Sequence, residues 1–217
     1  MTDPRRDQDR RYWERHAWRY DLSLGPLGKP LPRMLELVAE AVKGRERILE
    51  VAAGTGLVTP VLARAGGEVV ATDYAAAMVD RLRDKVAAAG LLNVDCRQAD
   101  IYDLPFEGGT FDAVVAANVL HLVPDLEGAL AALTKMLRPD GVLIAPTFCH
   151  DETRLSWLVS RVLAVTAFPG HRRFTIGSLR TAFETAGLKV DRCEVISGLL
   201  PIGYVEGFYQ DRRSARP

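Results

Sequence analysis

Ile48-Leu49-Glu50-Val51-Ala52-Ala53-Gly54-Thr55-Gly56 is the stretch on which the reading of the chain turns. Ile48 to Val51 is an apolar run of strand length, and of the five residues after it all but Thr55 carry nothing beyond a methyl group. Bounded so, the run predicts a buried strand, a tight turn and a helix starting near Leu57. Backbone this bare lets a ligand approach to van der Waals distance, and Gly54 and Gly56 can take positive φ without strain. Glu50 sets a carboxylate at the carboxyl end of the strand, where desolvation is costly unless a donor meets it. A ligand ammonium is such a donor.

The spacing after the turn selects among nucleotide-like ligands. A dinucleotide fingerprint requires Gly-x-Gly-x-x-Gly, but Gly56 is followed by Leu57, Val58 and Thr59, so the third glycine is absent and a pyrophosphate is disfavoured. Seventeen positions beyond Gly56, the strand Glu68 to Asp73 ends in an acid suited to accept from two ribose hydroxyls. An adenosine ligand without a pyrophosphate, with an amino-acid end near Glu50, describes S-adenosylmethionine.

Elsewhere strands and helices alternate. The pattern predicts a helix marked by Leu31, Leu35, Val38 and Val42, then helices over 57–65, 75–89 and 126–137 and strands over 68–73, 94–98, 111–117 and 142–148. Runs such as Ala113-Val114-Val115-Ala116-Ala117 lack the alternation of a one-sided sheet and belong in a parallel sheet covered on both faces, a doubly wound α/β pattern. Pro60 falls in the first turn of its helix, where no hydrogen bond is lost. Arg138-Pro139-Asp140-Gly141 has the residue preferences of a type I turn. Thr175 reads as the N-cap of a helix over 176–186 that ends at Gly187, and strands over 188–196 and 199–208 close the chain. Ligands in such sheets sit at the carboxyl ends of the strands, where Asp73 and Tyr74, Asp100 and Ile101, and Asn118 to His121 all fall.

Glu50 to Gly56, Thr72-Asp73, Ala99-Asp100 with Leu104-Pro105-Phe106, Phe111 to Val115, Val119-Leu120-His121 and Leu137 to Gly141 occur in this order. Together they resemble the class I S-adenosylmethionine-dependent methyltransferases, in the branch of the ubiquinone/menaquinone and small-molecule methyltransferases, over residues 20–148. Ala52 departs from the family's pattern, which often has its first glycine there. The resemblance implies a Rossmann-like, doubly wound α/β fold with a mostly parallel sheet, an antiparallel last strand, a helical N-terminal lid and a small cap insertion. It divides the chain into a lid and hinge at 1–28, a methyltransferase domain at 29–210 with the cap at about 150–187, and a polar tail at 211–217. It assigns cofactor binding to Tyr20, Glu50, Ala52, Gly54, Gly56, Asp73, Tyr74, Met78, Asp100, Ile101 and Asn118. Within that set Asp73 holds the ribose, Asp100 meets the adenine amino group, Ile101 lines the ring and Asn118 lies near the methionyl part.

Residues 7–20 read as a helix with Tyr12, His16 and Tyr20 on one stripe beside Trp13, and with Trp18 on the opposite side. It is either a helix packed on the domain or a lid that brings Tyr12 and His16 to the substrate. Leu155, Leu158, Val159, Val162 and Leu163 mark a helix inside the cap, followed by a loop carrying Phe168 and His171. Methyl transfer is an in-line displacement that needs alignment, exclusion of water and, for a hydroxyl or protonated amine, a base. His150, just past the fifth strand, is the first candidate for that base and His121 the second. Phe148, Trp157, Phe168 and Phe174 would form an apolar acceptor wall, with His171 entering from the cap loop.

The composition supports a single core: 217 residues, 48% hydrophobic, with 28 basic and 28 acidic side chains that cancel. No net field recruits nucleic acid. Cys96, Cys149 and Cys193 fit neither a disulfide framework nor a metal site, so no metal is expected. The charged start of the chain lacks a signal-peptide core, and no run reaches a membrane span. The expectation is a cytoplasmic monomer or homodimer without stable membrane insertion, acting on a small, fairly apolar acceptor at oxygen or nitrogen. The alternatives are a quinone precursor or phospholipid head group methylated at a membrane, met through the aromatic N-terminal helix, or a module that binds S-adenosylmethionine without turnover.

Overall fold

The computed structural model describes residues 4–17, 29–163 and 171–209. The run opened by Ile48 becomes β1 (Arg47–Glu50), followed along the chain by β2 (Glu68–Asp73), β3 (Val94–Gln98), β4 (Phe111–Val115), β5 (Leu137–Ile144), β6 (Thr147–Phe148), β7 (Leu188–Ile196) and β8 (Ile202–Tyr209). The first five are parallel, in the order β3-β2-β1-β4-β5. β8 runs antiparallel beside β5, with β6 prolonging that edge and β7 on the far side. The chain leaves β1 toward β2 and β3, then crosses back to β4, so strand order reverses between β1 and β4.

Helices α1 (Pro4–His16), α2 (Leu31–Val42), α3 (Thr59–Ala65), α4 (Ala76–Ala88), α5 (Leu126–Met136), α6 (Arg154–Leu163) and α7 (Ile176–Thr185) complete the description. Burial on both faces explains the unbroken apolar strands. Ile48, Ala113 and Ile144 pack under Met34, Leu37, Leu62 and Leu82 of α2, α3 and α4. Their pleat neighbours Leu49, Val114 and Leu143 point the other way, into Leu130, Leu133, Leu179 and Phe183 of α5 and α7. The helices start where local chemistry allows it. Pro32 and Pro60 sit in first turns, Asp125 accepts from the Gly128 amide at 2.9 Å, and Thr175 and Ser178 form a reciprocal capping pair.

Several boundaries differ from the sequence expectation. α1 starts at Pro4 rather than at residue 7, and residues 18–20 of the expected helix lie outside the described residues. Asp140 has φ +62°, so 138–141 is not a type I turn, whose third residue has negative φ; the segment is instead a bulge within β5, between the Phe111↔Leu137 and Ala113↔Val142 pairs. β5 and β6 are separate because Pro146, which has no N–H for the ladder, interrupts them, and β8 begins at Ile202, directly after Pro201. Cys96, in β3, is partly buried and packs against the core. Trp18, Tyr20, Phe168, the hinge residues 24–28 and the tail 211–217 lie outside the described residues.

Leu82 is fully buried beneath the glycine turn: a Cβ on Gly56, at φ +81°, would lie 2.7 Å from its Cδ1. Leu82→Ala is expected to lower the unfolding free energy by about 2–5 kcal/mol, read from urea denaturation, because it opens a cavity under that turn.

Candidate functional site

The turn predicted after β1 forms by left-handed backbone: Ala52, Gly54 and Gly56 have φ of 51°, 56° and 81°. Asp73 fixes it. Its Oδ2 accepts from the Gly54 amide at 2.8 Å and its Oδ1 from the Ala75 amide at 2.9 Å. Beneath lies Glu50, 2% exposed, whose Oε2 accepts from the Thr59 hydroxyl at 2.6 Å. Burial pushes the Glu50 carboxyl up to about 8, against the Thr59 hydrogen bond and with help from nearby Asp73. Burial likewise raises Asp73 to about 6, although three backbone amides pull it down. Two carboxyls held this far above their ordinary range suit a site that awaits cationic or hydroxyl donors.

Above the turn a cavity of about 130 Å³ opens at the carboxyl ends of β1 to β4, where strand order reverses. Ala52, Gly54, Asp73, Tyr74, Met78, Asp100, Ile101 and Asn118 line it, which brings together eight of the predicted cofactor residues. Asn118, at φ +53°, keeps its buried Oδ1 without a hydrogen-bond partner. Glu50 and Gly56 do not reach the wall: Glu50 is sealed under the turn, and Gly56 backs onto Leu82.

The sequence named Tyr12 and His16 on α1, and the residues of this helix that line the cavity are their neighbours. Arg6, Asp9 and Trp13 line the cavity, while Tyr12 and His16 stack on each other with ring centroids 4.2 Å apart and His16 Nδ1 lies 2.7 Å from the Tyr12 carbonyl. The helix docks because Glu14 accepts from the Ala76 and Ala77 amides at the start of α4, at 2.9 and 3.3 Å, and because Ala17 and Trp13 pack on Ala75 and Met78. Arg6 forms an ion pair with Asp100 and lies 4.4 Å over the Tyr102 ring. Asp9 Oδ2 meets His171 Nε2 at 2.8 Å, joining α1 to the cap loop. The signal that could have found this face is the helical spacing of Arg6, Asp9, Trp13 and Ala17. Tyr102 and the run Leu122-Val123-Pro124, also in the wall, carried no such signal.

The other candidates are not among the residues that line the cavity, although His121 sits between the lining residues Val119 and Leu122. His121 is buried with its ring 5.4 Å from His150 and 5.9 Å from Phe148. Burial and the neighbouring imidazole push His121 down to about 3; burial and then Arg173 lower His150. Phe148 and Phe174 are buried in the core, and Trp157 is 45% exposed, so they do not form the predicted wall. His171 is spent on Asp9. The Cys149 thiol is buried and pushed up to about 12 by that burial. No group of three or more metal-ligating side chains occurs among the described residues.

A model of the methyltransferase domain matches residues 49–145. The chain is 34% identical over 146 residues to the ubiquinone/menaquinone biosynthesis C-methyltransferase of Teredinibacter turnerae; the match covers 64% of this chain but only 59% of that protein, less than two thirds of its length. It is 34% identical over 147 residues to the phosphatidylethanolamine N-methyltransferase of Cereibacter sphaeroides, covering 67% of this chain and 70% of that one. A crystal structure of an S-adenosylmethionine-dependent methyltransferase from Aquifex aeolicus shares the fold, with a TM-score of 0.67 and 22% identity over 85% of this chain and 91% of that chain.

The raised Glu50 carboxyl has a measurable signature in the ligand-free protein. Folding raises its pKa from 4.5 to about 8, so its contribution to stability is complete below about pH 4.5 and is lost as pH rises through about 8. Glu50→Gln is expected to flatten that decline and to raise the unfolding free energy at pH 8.5 by on the order of 1–2 kcal/mol, read from thermal melts across pH. Identical pH profiles for the two proteins would count against the assignment.

Proposed function

Because the chain belongs to the class I S-adenosylmethionine-dependent methyltransferases, we propose that it transfers a methyl group to an oxygen or nitrogen of a small, fairly apolar acceptor. The observation that carries the reading is the pair of buried, elevated carboxyls, Glu50 and Asp73, around a left-handed turn at the strand-order switch. When bound, S-adenosylmethionine supplies a methyl group activated on a sulfonium. Asp73, already oriented by the Gly54 and Ala75 amides, accepts from the ribose hydroxyls, and Glu50, sealed beneath the turn in the ligand-free protein, ionises against the ligand ammonium as the turn opens over it. Tyr74, Met78, Ile101 and Asp100 hold the base, and Asn118 offers its unpartnered Oδ1 to the methionyl end.

α1 serves as the lid. Trp13 and Arg6 roof the cavity and exclude water, which strengthens the electrostatics within. His150 is the better base of the two histidines, since both are neutral near pH 7 but the deeper His121 holds a proton too weakly to draw one from an acceptor. A membrane-borne acceptor is the second reading, in line with the quinone and phospholipid chemistry in the names of the two relatives.

Isothermal titration with S-adenosylmethionine tests the site. Binding is expected to release protons at pH 7, visible as an enthalpy that changes with the buffer, because Glu50 must ionise; Asp73→Ala is expected to weaken binding by about 100-fold. No binding by the wild-type protein would sink the reading. His150→Ala is expected to lower turnover by about 10²-fold with cofactor binding retained, whereas unchanged turnover removes His150 from the mechanism.

A further inference from the structure

α6 turns three large apolar side chains to solvent. Ser156 is completely buried, with its hydroxyl and amide closed in a capping pair with Thr153: the Thr153 amide donates to Ser156 Oγ at 2.9 Å and the Ser156 amide to Thr153 Oγ1 at 3.0 Å. Leu155 and Leu158 instead face solvent at 56% and 55% exposure, and Trp157 at 45%. Half of the six large hydrophobic side chains exposed among the described residues therefore lie on this one helix, so the pattern is a patch rather than scatter.

Within α6 the charge has one sign. α6 carries Arg154 and Arg161 and no acid, and the Arg161 guanidinium sits 5.0 Å over the Trp157 ring. Arg172 and Arg173 follow on the adjoining loop. The two nearby acids are already engaged: Asp151 lies 3.9 Å from Arg173, and Glu152 accepts from the Ile176 amide at 2.7 Å. Leucines and a tryptophan interleaved with the guanidinium groups of Arg154 and Arg161 on one helix are the chemistry of a helix that lies in a bilayer interface. α6 follows β6 at the end of the sheet that carries the cavity, and Arg172 donates to the carbonyl of Pro124 in the cavity wall at 3.2 Å. α1, the element from which the sequence suggested membrane contact, is committed elsewhere through Trp13 and Glu14.

We propose that α6 is a membrane-contact helix that seats the cavity end of the sheet on an anionic phospholipid surface. Leu155, Leu158 and Trp157 enter the boundary of the acyl region, and Arg154 and Arg161 meet lipid phosphates. The contact does not depend on which acceptor is methylated, so it stands or falls separately from the proposed function.

The test is co-sedimentation of the full chain, without cofactor or acceptor, with vesicles of phosphatidylcholine alone and of phosphatidylcholine containing about 30% phosphatidylglycerol. Binding is expected to the anionic vesicles and to weaken in about 0.5 M salt. Leu155→Ser with Leu158→Ser is expected to lower the partition coefficient at least about 10-fold, and Arg154→Gln with Arg161→Gln to remove about 10-fold or more of the preference for anionic lipid. Melting curves check that the variants fold. Trp157→Ala, which strips an already exposed ring, gives the same direction if the leucine pair melts low. Failure of the wild-type chain to bind anionic vesicles overturns the proposal, as does binding that the leucine and tryptophan variants leave unchanged. Self-association abolished by the leucine pair, without vesicle binding, would identify the face as a contact between copies and also overturn it.

Discussion

The Asp73 carboxylate joins the two halves of the nucleotide-binding end. It accepts from Gly54 on one side and Ala75 on the other, so the turn after β1 and the start of α4 are both measured from the end of β2. The Ala53 amide to the Thr72 carbonyl, at 2.9 Å, and the Thr72 hydroxyl to the Glu50 carbonyl, at 3.0 Å, tie the same two segments. A chain that places three residues in left-handed backbone within five positions needs such external fixing, because an alanine at φ 51° is strained when left to itself. The cost of burying the carboxylate is partly offset by those amides. What remains is the upward displacement of its pKa, a demand for hydrogen-bond donors that the backbone amides leave partly unmet.

The layered sheet was legible in the sequence because each of its signals is local. Apolar runs with no alternation can only be strands covered on both faces, and Ile48 and Leu49 indeed point into opposite layers. The ends of elements were less legible where proline acts through tertiary pairing: Pro146 and Pro201 break strands that continue in their apolar pattern. Asp140 escaped the turn rule because an aspartate tolerates positive φ, and its neighbours encode only that a turn exists.

In the site, residues fixed to strand ends were found, because their position follows from the topology; eight of them share one cavity. Residues contributed by separate elements were not. Tyr12 and His16 drew attention as aromatic residues and stack on each other, while the less conspicuous Arg6 and Asp9, with Trp13, line the cavity. Which side of a helix is buried depends on its partner surface, and here that partner is α4, reached through Glu14 at its amino end. The acceptor side was hardest to read. Phe148 and Phe174 look like a binding wall in sequence, but apolar residues near a site are claimed by the core unless something keeps them out.

The Arg6 to Asp100 ion pair ties two events together that sequence treats as separate. The helix that roofs the cavity holds itself in place by grasping a carboxylate of the cavity wall. Docking of the helix and the charge state of the wall are therefore linked, so anything that neutralises Asp100 also loosens the roof, and anything that strips away the helix leaves one more uncompensated negative charge facing the cavity.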